Sequence, residues 1–148
     1  MTDSMSIIPL SAQIKNMYSA SSRKVCARYD ISPAELDIID VLSSDGGYDT
    51  AAQIARLRCI KKANVSTAVD RLICRGLVEK SVDEKDKRLI HLKLTESAKS
   101  IASDIKKAQE EFIEGLKKIF TEGELKTLLE LLDKLVSFGN YGEVTANG

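Results

Sequence analysis

The residues of this 148-residue chain that could do chemistry are three cysteines, one histidine and a dense group of charged side chains. Cys26, Cys59 and Cys74 are widely spaced and form no CxxC pair, so neither a disulfide framework nor a zinc site is expected. His91 has no second histidine with which it could share a transition metal. We therefore predict no metal site and no cofactor.

The sequence lacks the motifs of common enzymes and of membrane insertion. It contains no nucleophile elbow, no Walker loop and no dinucleotide fingerprint, and a single histidine leaves little for acid–base catalysis. No apolar run approaches the roughly 20 residues that span a bilayer, and the start MTDSMSIIPL lacks a basic segment followed by a long apolar core. We therefore expect a cytoplasmic protein that is not an enzyme and has no membrane partner.

The charged residues are segregated along the chain, although the formal net charge is zero. From Arg56 to Lys93 there are eleven basic and five acidic side chains, a net charge of +6. A basic segment of this kind is compatible with a nucleic-acid partner even in a neutral chain. Within it, the stretch VDEKDKRLIHLKLT (82–95) places charges of both signs before an alternating pattern. Taken alone, this stretch is typical of a solvated hairpin tip.

Helical patterns account for most of the chain, whose 43% hydrophobic residues suit a single folded domain. Apolar residues at three-to-four spacing predict a first helix over residues 6–29. Capping boxes at 32–35 and 50–53 then open two shorter helices. After a linker at 59–61, a further helix is expected to end at Gly76, which suits a left-handed cap. Two short helices joined by a tight turn form the helix-turn-helix pattern.

The period of the apolar residues changes from helical to alternating after Gly76, which predicts two strands. Residues 77–82 and 90–94 alternate, and the DEKDK segment between them has the length and charge of a hairpin loop. A hairpin directly after a helix-turn-helix is a winged helix, so this context makes the loop a candidate wing. Thr95 is expected to cap a long helix, and a capping box at 121–124 opens the last one.

The predicted fold is mainly α with a small β-hairpin: a winged helix-turn-helix with N- and C-terminal dimerisation helices. Residues 33–94 form the winged region, 6–29 and 95–137 the helical dimerisation region, and 138–148 a flexible tail. The terminal helices carry apolar stripes too long for the small winged core to cover, and large exposed apolar patches mark interfaces. A twofold homodimer is the simplest way to cover them.

The run VSTAVDRLICRGLVEKSVDEKDKRLIHLKLTESAKS (65–100) resembles the signature of the MarR family of bacterial transcription regulators. Helix order and length are similar over about residues 6–137. Lys85 stands where many members have arginine, and Ala98 replaces a frequent glycine. The motifs that carry the resemblance are Asp70-Arg71-Leu72, Gly76-Leu77-Val78, Asp83, Asp86, Arg88 and Leu94-Thr95.

The resemblance implies a homodimer that binds a pseudo-palindromic operator in double-stranded DNA, usually as a repressor, with an affinity altered by a small-molecule effector. The recognition helix of each subunit would lie in the major groove, where Ser, Thr and Arg side chains read base edges or clamp phosphates. Arg88 would enter the minor groove, held by Asp86, while Lys85 and Lys87 would meet phosphates. The expected DNA-binding residues are Lys61, Lys62, Asn64, Ser66, Thr67, Asp70, Arg71, Lys85, Asp86, Lys87 and Arg88.

Two alternatives to an effector-switched DNA-binding dimer stay open at this point. Family members that sense peroxides use a low-pKa cysteine near tyrosines, and Cys26 lies near Tyr29, although it stands farther along the first helix than the cysteine of those sensors. In the other alternative, a winged-helix protein-interaction module docks an acidic partner and reads no DNA sequence. Cys59 and Cys74 are expected to be packing residues, and His91 is left without a function.

Overall fold

The computed structural model describes residues 7–146 and the side chains of residues 12–135, 137 and 138. The chain divides into two compact units, one ending at Glu110 and the other beginning at Glu111. Helices and one antiparallel hairpin make up the described part, which confirms the prediction of a mainly α fold with a small β-hairpin. The elements are α1 (Ile7–Tyr29), α2 (Pro33–Ser43), α3 (Ala51–Arg58), α4 (Lys62–Cys74), β1 (Val78–Val82), β2 (Ile90–Leu94), a 3-10 turn (Glu96–Ala98), α5 (Lys99–Lys117) and α6 (Glu122–Ala146).

Local capping fixes where α2 and α3 begin. Ser32 Oγ accepts a hydrogen bond from the Glu35 N–H at 3.2 Å, and the Ser32 N–H donates to Glu35 Oε2 at 2.6 Å. Thr50 and Gln53 form the same reciprocal pair at the start of α3. Each box satisfies backbone groups that a helix terminus leaves unpaired, and both predicted boxes are confirmed. Gly76 has a φ of 68°, the left-handed conformation predicted after α4.

The hydrophobic core of the first unit draws on α1 and α5 as well as on the winged region. Side chains of α2, α3, α4 and β2 share one buried cluster with Val25 of α1 and with Ile101 and Ile105 of α5. Removing these apolar groups from water is the main favourable term in folding. Helices that the sequence assigned to dimerisation therefore also complete the core on which the winged region is built. The largest fully buried apolar side chains are Ile38, Ile39, Ile54, Leu72, Ile105, Val41 and Val65.

Polar contacts attach the end of α1 to α4 and α5. At the C-cap of α4, Arg75 donates from Nη1 to the Asp30 carbonyl at 2.8 Å and from Nη2 to the Tyr29 carbonyl at 2.7 Å. Tyr29 Oη and Arg28 Nη1 each donate to Asp104 Oδ2 at 2.8 Å. The bond from Tyr29 is the largest cause that lowers the pKa of Asp104. Arg75 thus satisfies carbonyl groups at and just beyond the C-terminus of α1.

Several sequence-based expectations differ from the structure. Thr95 precedes the 3-10 turn, but its hydroxyl donates to the Gly76 carbonyl at 2.6 Å instead of capping, because the hairpin returns to the end of α4. The expected flexible tail at 138–148 is helical as far as Ala146, and residues 147 and 148 lie outside the described residues. Cys59 and Cys74 are exposed, so the expectation that they pack in the interior is wrong.

The hairpin differs from its predicted form in the burial of one face. Its strands pair antiparallel, with Val78 opposite Leu94 and Val82 opposite Ile90. Leu92 is buried, but Ile90, which the alternating pattern of 90–94 places on the same face of the strand, is 44% exposed. Ile90 lies at the loop end of the strand, where the hairpin extends beyond the helical core.

The second unit contains the end of α5 and all of α6. Thr121 and Glu124 form the predicted capping box, with hydrogen bonds of 2.9 and 3.3 Å. None of the helices within residues 7–146 combines the length and the apolar composition that a membrane span requires. This unit leaves a series of large apolar side chains exposed, namely Ile119, Leu129, Leu131, Leu132, Leu135 and Phe138.

Replacing Thr50 with alanine is expected to lower the free energy of unfolding by about 1 kcal/mol, because the N–H of Gln53 loses its acceptor at the start of α3. Thr50→Ser keeps the hydroxyl and should stay near the wild-type value. Urea denaturation followed by circular dichroism measures both variants. Equal losses in the two variants would show that the methyl group, and not the cap, is what matters at this position.

Candidate nucleic-acid interface

Helix α4 presents one apolar and one polar face, as a recognition helix requires. Val65, Ala68, Val69 and Leu72 are buried where α4 packs against α2 and α3. The residues between them are exposed, so the face of α4 opposite the core is a polar strip, as the spacing of its apolar residues predicts. Its members are the predicted Ser66, Thr67, Asp70 and Arg71. The Thr67 hydroxyl donates to the Ala63 carbonyl at 3.0 Å, which leaves its oxygen with capacity to accept a further hydrogen bond.

Arg71 forms an ion pair with a buried carboxylate. Its Nε lies 3.7 Å from Oε1 of Glu35, a side chain with no exposed area. The other oxygen of Glu35 is used in the capping box with Ser32, and Oε1 has no hydrogen bond in the described structure. A buried carboxylate without a counter-charge is costly, so Glu35 favours keeping the guanidinium close. The Arg71 side chain is still 60% exposed and can reach a ligand.

The start of α4 gathers exposed polar and basic groups. Lys61 is the N-cap residue and provides no side-chain cap, and Lys62 and Asn64 follow in the first turn. All three side chains are exposed. The partial positive charge of a helix N-terminus adds to the lysine charges, so this end of the helix attracts phosphate groups.

The wing loop, residues 83–89, is shaped by its own aspartates. Asp83 Oδ1 accepts hydrogen bonds from the N–H groups of Lys85 and Asp86, both at 2.8 Å. Asp86 Oδ1 accepts from the N–H of Arg88 at 3.1 Å and from its Nε at 3.3 Å. The Arg88 side chain is 92% exposed. The structure therefore brings Asp86 and Arg88 together, and leaves Lys85 and Lys87 exposed on either side of Asp86.

His91 occupies a position that sequence reasoning left without a function. Its Nε2 lies 2.8 Å from Oδ2 of Asp83 in the wing loop, and its Nδ1 lies 2.9 Å from Oδ2 of Asp49, just before α3. These bonds, the one to Asp83 more strongly, raise the pKa of His91 above its usual value. The bond from His91, with those from the loop N–H groups, lowers the pKa of Asp83 to about 2. The sequence does place His91 close to the acidic loop, which could have indicated its contact with Asp83. Its second partner, Asp49, could not be identified from the spacing of residues.

Cys26 lies in surroundings that disfavour a reactive thiolate. The side chain is partly buried, and this burial, followed by the negative charges of Asp37 and Glu35, raises the pKa of its thiol. Redox-sensing cysteines need the opposite, a cationic setting that lowers the pKa. The geometry around Cys26 therefore opposes its use as an oxidant sensor.

Comparisons with known proteins agree with this arrangement. A model of the MarR family matches residues 29–89, which include α2, α3, α4 and most of the hairpin. The HTH-type transcriptional regulator YwaE of Bacillus subtilis is 28% identical over 131 residues, which cover 81% of this chain and 74% of that protein.

Solved structures extend the likeness to most of the chain. A MarR family regulator from Silicibacter pomeroyi superposes with a TM-score of 0.76 at 22% identity, covering 86% of each chain. Streptococcus pneumoniae FabT, solved in complex with DNA, superposes with a TM-score of 0.72 at 25% identity, covering 93% of this chain and 98% of that one. The winged helix-turn-helix fold is confirmed, and the helix-turn-helix and first strand of this chain match the model of the MarR family of transcriptional regulators.

Proposed function

We propose that this MarR-type regulator binds pseudo-palindromic double-stranded DNA as a homodimer, with α4 of each subunit in the major groove and the wing loop at the minor groove. The observation that carries the proposal is the pairing of an exposed polar face on α4 with an exposed arginine that Asp86 orients on the wing loop. An α-helix fits the major groove, and an arginine gains from the negative potential of a narrow minor groove.

The residues of α4 divide between reading and positioning. Ser66, Thr67 and Arg71 can hydrogen-bond base edges, and Asp70 can accept a hydrogen bond from a cytosine amino group. The ion pair with Glu35 favours arrangements of Arg71 that keep its guanidinium beside α2, which lowers the entropy cost of binding. Phosphate contacts, which fix orientation and do not read sequence, fall to Lys61, Lys62, Asn64, Lys85 and Lys87.

Exposed apolar residues support the homodimer. In the first unit, Ile14 and Met17 of α1 are 53% and 47% exposed. In the second unit, Leu135 and Phe138 of α6 are 65% and 75% exposed. Apolar surface of this extent marks an interaction site, and a twofold pair of identical subunits matches the symmetry of an inverted-repeat DNA site.

The regulator is proposed to act in the cytoplasm as a repressor whose affinity is set by a small-molecule effector. An effector that binds one arrangement of the dimer better than another shifts the population towards it. Because half-sites lie about one turn of DNA apart, a change in the separation of the two recognition helices weakens binding. The partial burial of Cys26 and the raised pKa of its thiol disfavour oxidation of this cysteine as the switch.

Selection from a random pool of DNA duplexes by the purified protein tests this function. The selected sequences are expected to be inverted repeats whose half-sites are centred about 10 base pairs apart. Ser66→Ala and Arg71→Ala should each relax the preference at one position of the half-site by about tenfold. Lys106→Ala, which removes a charge from exposed α5 surface, is the matched control and should select the wild-type sequences.

Two results would contradict the proposal. Sequences without inverted symmetry would count against a dimer that places two equivalent helices on DNA. Binding with no sequence preference, unchanged in Ser66→Ala, would favour a winged-helix module that docks acidic protein partners. Arg71→Ala also removes the counter-charge of Glu35, so the thermal unfolding of this variant is measured in parallel. If Arg71→Ala is unstable, the conclusion rests on Ser66→Ala.

A further inference from the structure

A single side chain joins the wing loop to the start of the helix-turn-helix. His91 lies on β2 and contacts Asp83, the first residue of the wing loop, and Asp49, which directly precedes the N-cap Thr50 of α3. Asp49 is itself held in place, because its N–H donates to Gln53 Oε1 at 3.1 Å and its carbonyl accepts from the Leu92 N–H at 2.7 Å. His91 therefore connects the loop to a fixed point of the helical core.

This bridge requires an added proton. A carboxylate only accepts hydrogen bonds, whereas a neutral imidazole has one N–H donor and one acceptor nitrogen. With Asp49 and Asp83 both ionised, only the imidazolium form of His91 can donate to both at once. Loss of that proton turns one of the two hydrogen bonds into a repulsive contact between two acceptors.

Asp83 links the protonation state of His91 to the conformation of the loop. While Oδ2 receives the bond from His91, Oδ1 receives the N–H groups of Lys85 and Asp86, and Asp86 in turn holds Arg88. One carboxylate thus fixes both the fold of the loop and its attachment to the core. Movement of Asp83 therefore disturbs the hydrogen bonds that position Lys85, Asp86 and, through Asp86, Arg88.

We propose that His91 is a positioning residue for the wing: in its imidazolium form it holds the loop against the segment that begins α3, and DNA binding weakens when the proton is lost. The proposal rests on the DNA-binding function proposed above. His91 touches no DNA in this scheme and acts only through Asp83 and the loop. It makes the wing contact sensitive to pH near neutrality.

The direction of the pH effect follows from the groups around His91. The charged groups that act on it are Asp83 from the wing loop and Asp49 from the segment before α3, while its partner across the hairpin, Ser81, is uncharged. Both carboxylates raise the pKa of His91. The bridge is therefore fully formed below the usual pKa of histidine and is lost as the pH rises through the raised value.

The test measures the affinity of untagged protein for the tightest duplex recovered from the random pool, at constant ionic strength. Wild-type affinity is expected to fall about fivefold between about pH 6 and about pH 8, within the range in which histidine is the side chain that normally titrates. His91→Gln should bind more weakly at low pH and show no such fall, because one amide cannot bridge two carboxylates. A wild-type affinity that does not change with pH would overturn the proposal.

Asp49→Asn is the decisive variant. An asparagine amide can donate to Nδ1 of a neutral His91, which still donates from Nε2 to Asp83, so the bridge forms without the added proton. The affinity of this variant should therefore be independent of pH and retained at high pH. An equal fall in Asp49→Asn and in the wild type would show that the imidazolium acts only by attracting phosphates and would refute the positioning role.

Nuclear magnetic resonance separates this proposal from the DNA-binding proposal. His91 is the only histidine, so its ring signals report its titration in the protein without DNA. Its pKa should lie above the usual value and fall in Asp49→Asn, and the amide signals of Lys85 and Asp86 should follow the same titration. Loop amides that ignore the titration would overturn the bridge even if DNA binds. Absence of DNA binding at every pH would instead refute the DNA-binding function.

Discussion

Replacing Arg88 with alanine is expected to weaken binding to the selected operator by about thirtyfold, because a twofold dimer loses about 1 kcal/mol at each of two wings. The side chain is 92% exposed, so the substitution removes a ligand contact and little packing. In the wild type, Asp86 holds the guanidinium on the loop, and the negative potential of the minor groove stabilises it there. Fluorescence anisotropy at fixed, near-physiological salt measures the change.

Neighbouring substitutions separate the charge of Arg88 from its geometry. Arg88→Lys keeps the positive charge and loses the planar fork, so its affinity should fall between those of the wild type and Arg88→Ala. Asp86→Asn keeps Arg88 but loses the charged acceptor for Nε, and should weaken binding less than Arg88→Ala does. Lys87→Ala removes one loop charge and serves as the charge-matched control. Wild-type affinity in Arg88→Ala would remove this residue from the site.

Raising the salt concentration from about 50 to about 200 mM is expected to lower operator affinity by about a hundredfold. Each subunit exposes four lysines in the proposed phosphate contacts, so a dimer has eight. If half of them displace counterions from DNA, a plot of log affinity against log salt has a slope of about −4. The effect is large because each phosphate contact releases a condensed counterion, and several contacts add together. The four are Lys61, Lys62, Lys85 and Lys87.

Removal of one lysine tests the origin of that slope. Lys87→Ala takes one charge from each subunit and should make the slope shallower by about 1 while leaving the order of preference among DNA sequences unchanged. Lys106→Ala should leave the slope as it is in the wild type. A wild-type affinity that barely responds to salt would contradict phosphate contacts and favour docking to a protein partner.

Local patterns were enough to predict much of the fold and part of the site. Capping boxes at 32–35 and 50–53 depend on side chains three residues apart, and the alternation in 90–94 depends on strand geometry. Each feature depends only on residues that are close together in the chain, so it can be predicted from the sequence. The pairing of Asp86 with Arg88, two positions away, was implied by the resemblance to the MarR family and is present in the structure.

Contacts between distant segments could not be predicted in this way. Asp49 and His91 are 42 positions apart, and Arg75 and Asp30 are 45 apart. Glu35 was predicted only as part of a capping box, but its second oxygen also faces Arg71. Which distant groups meet depends on how the helices pack, and no periodicity or spacing in one sequence encodes that.

The hydrogen bonds from Arg75 couple the end of α1 to the end of α4, the recognition helix. One guanidinium at the C-cap of α4 donates to two consecutive carbonyls at the end of α1, and such charge-assisted hydrogen bonds are stronger than neutral ones. In the proposed dimer, we expect a tilt that the partner subunit imposes on α1 to move α4 in the same direction. Release of DNA by an effector then requires no refolding of the helix-turn-helix, because a rigid-body rotation of α1 would also reorient α4.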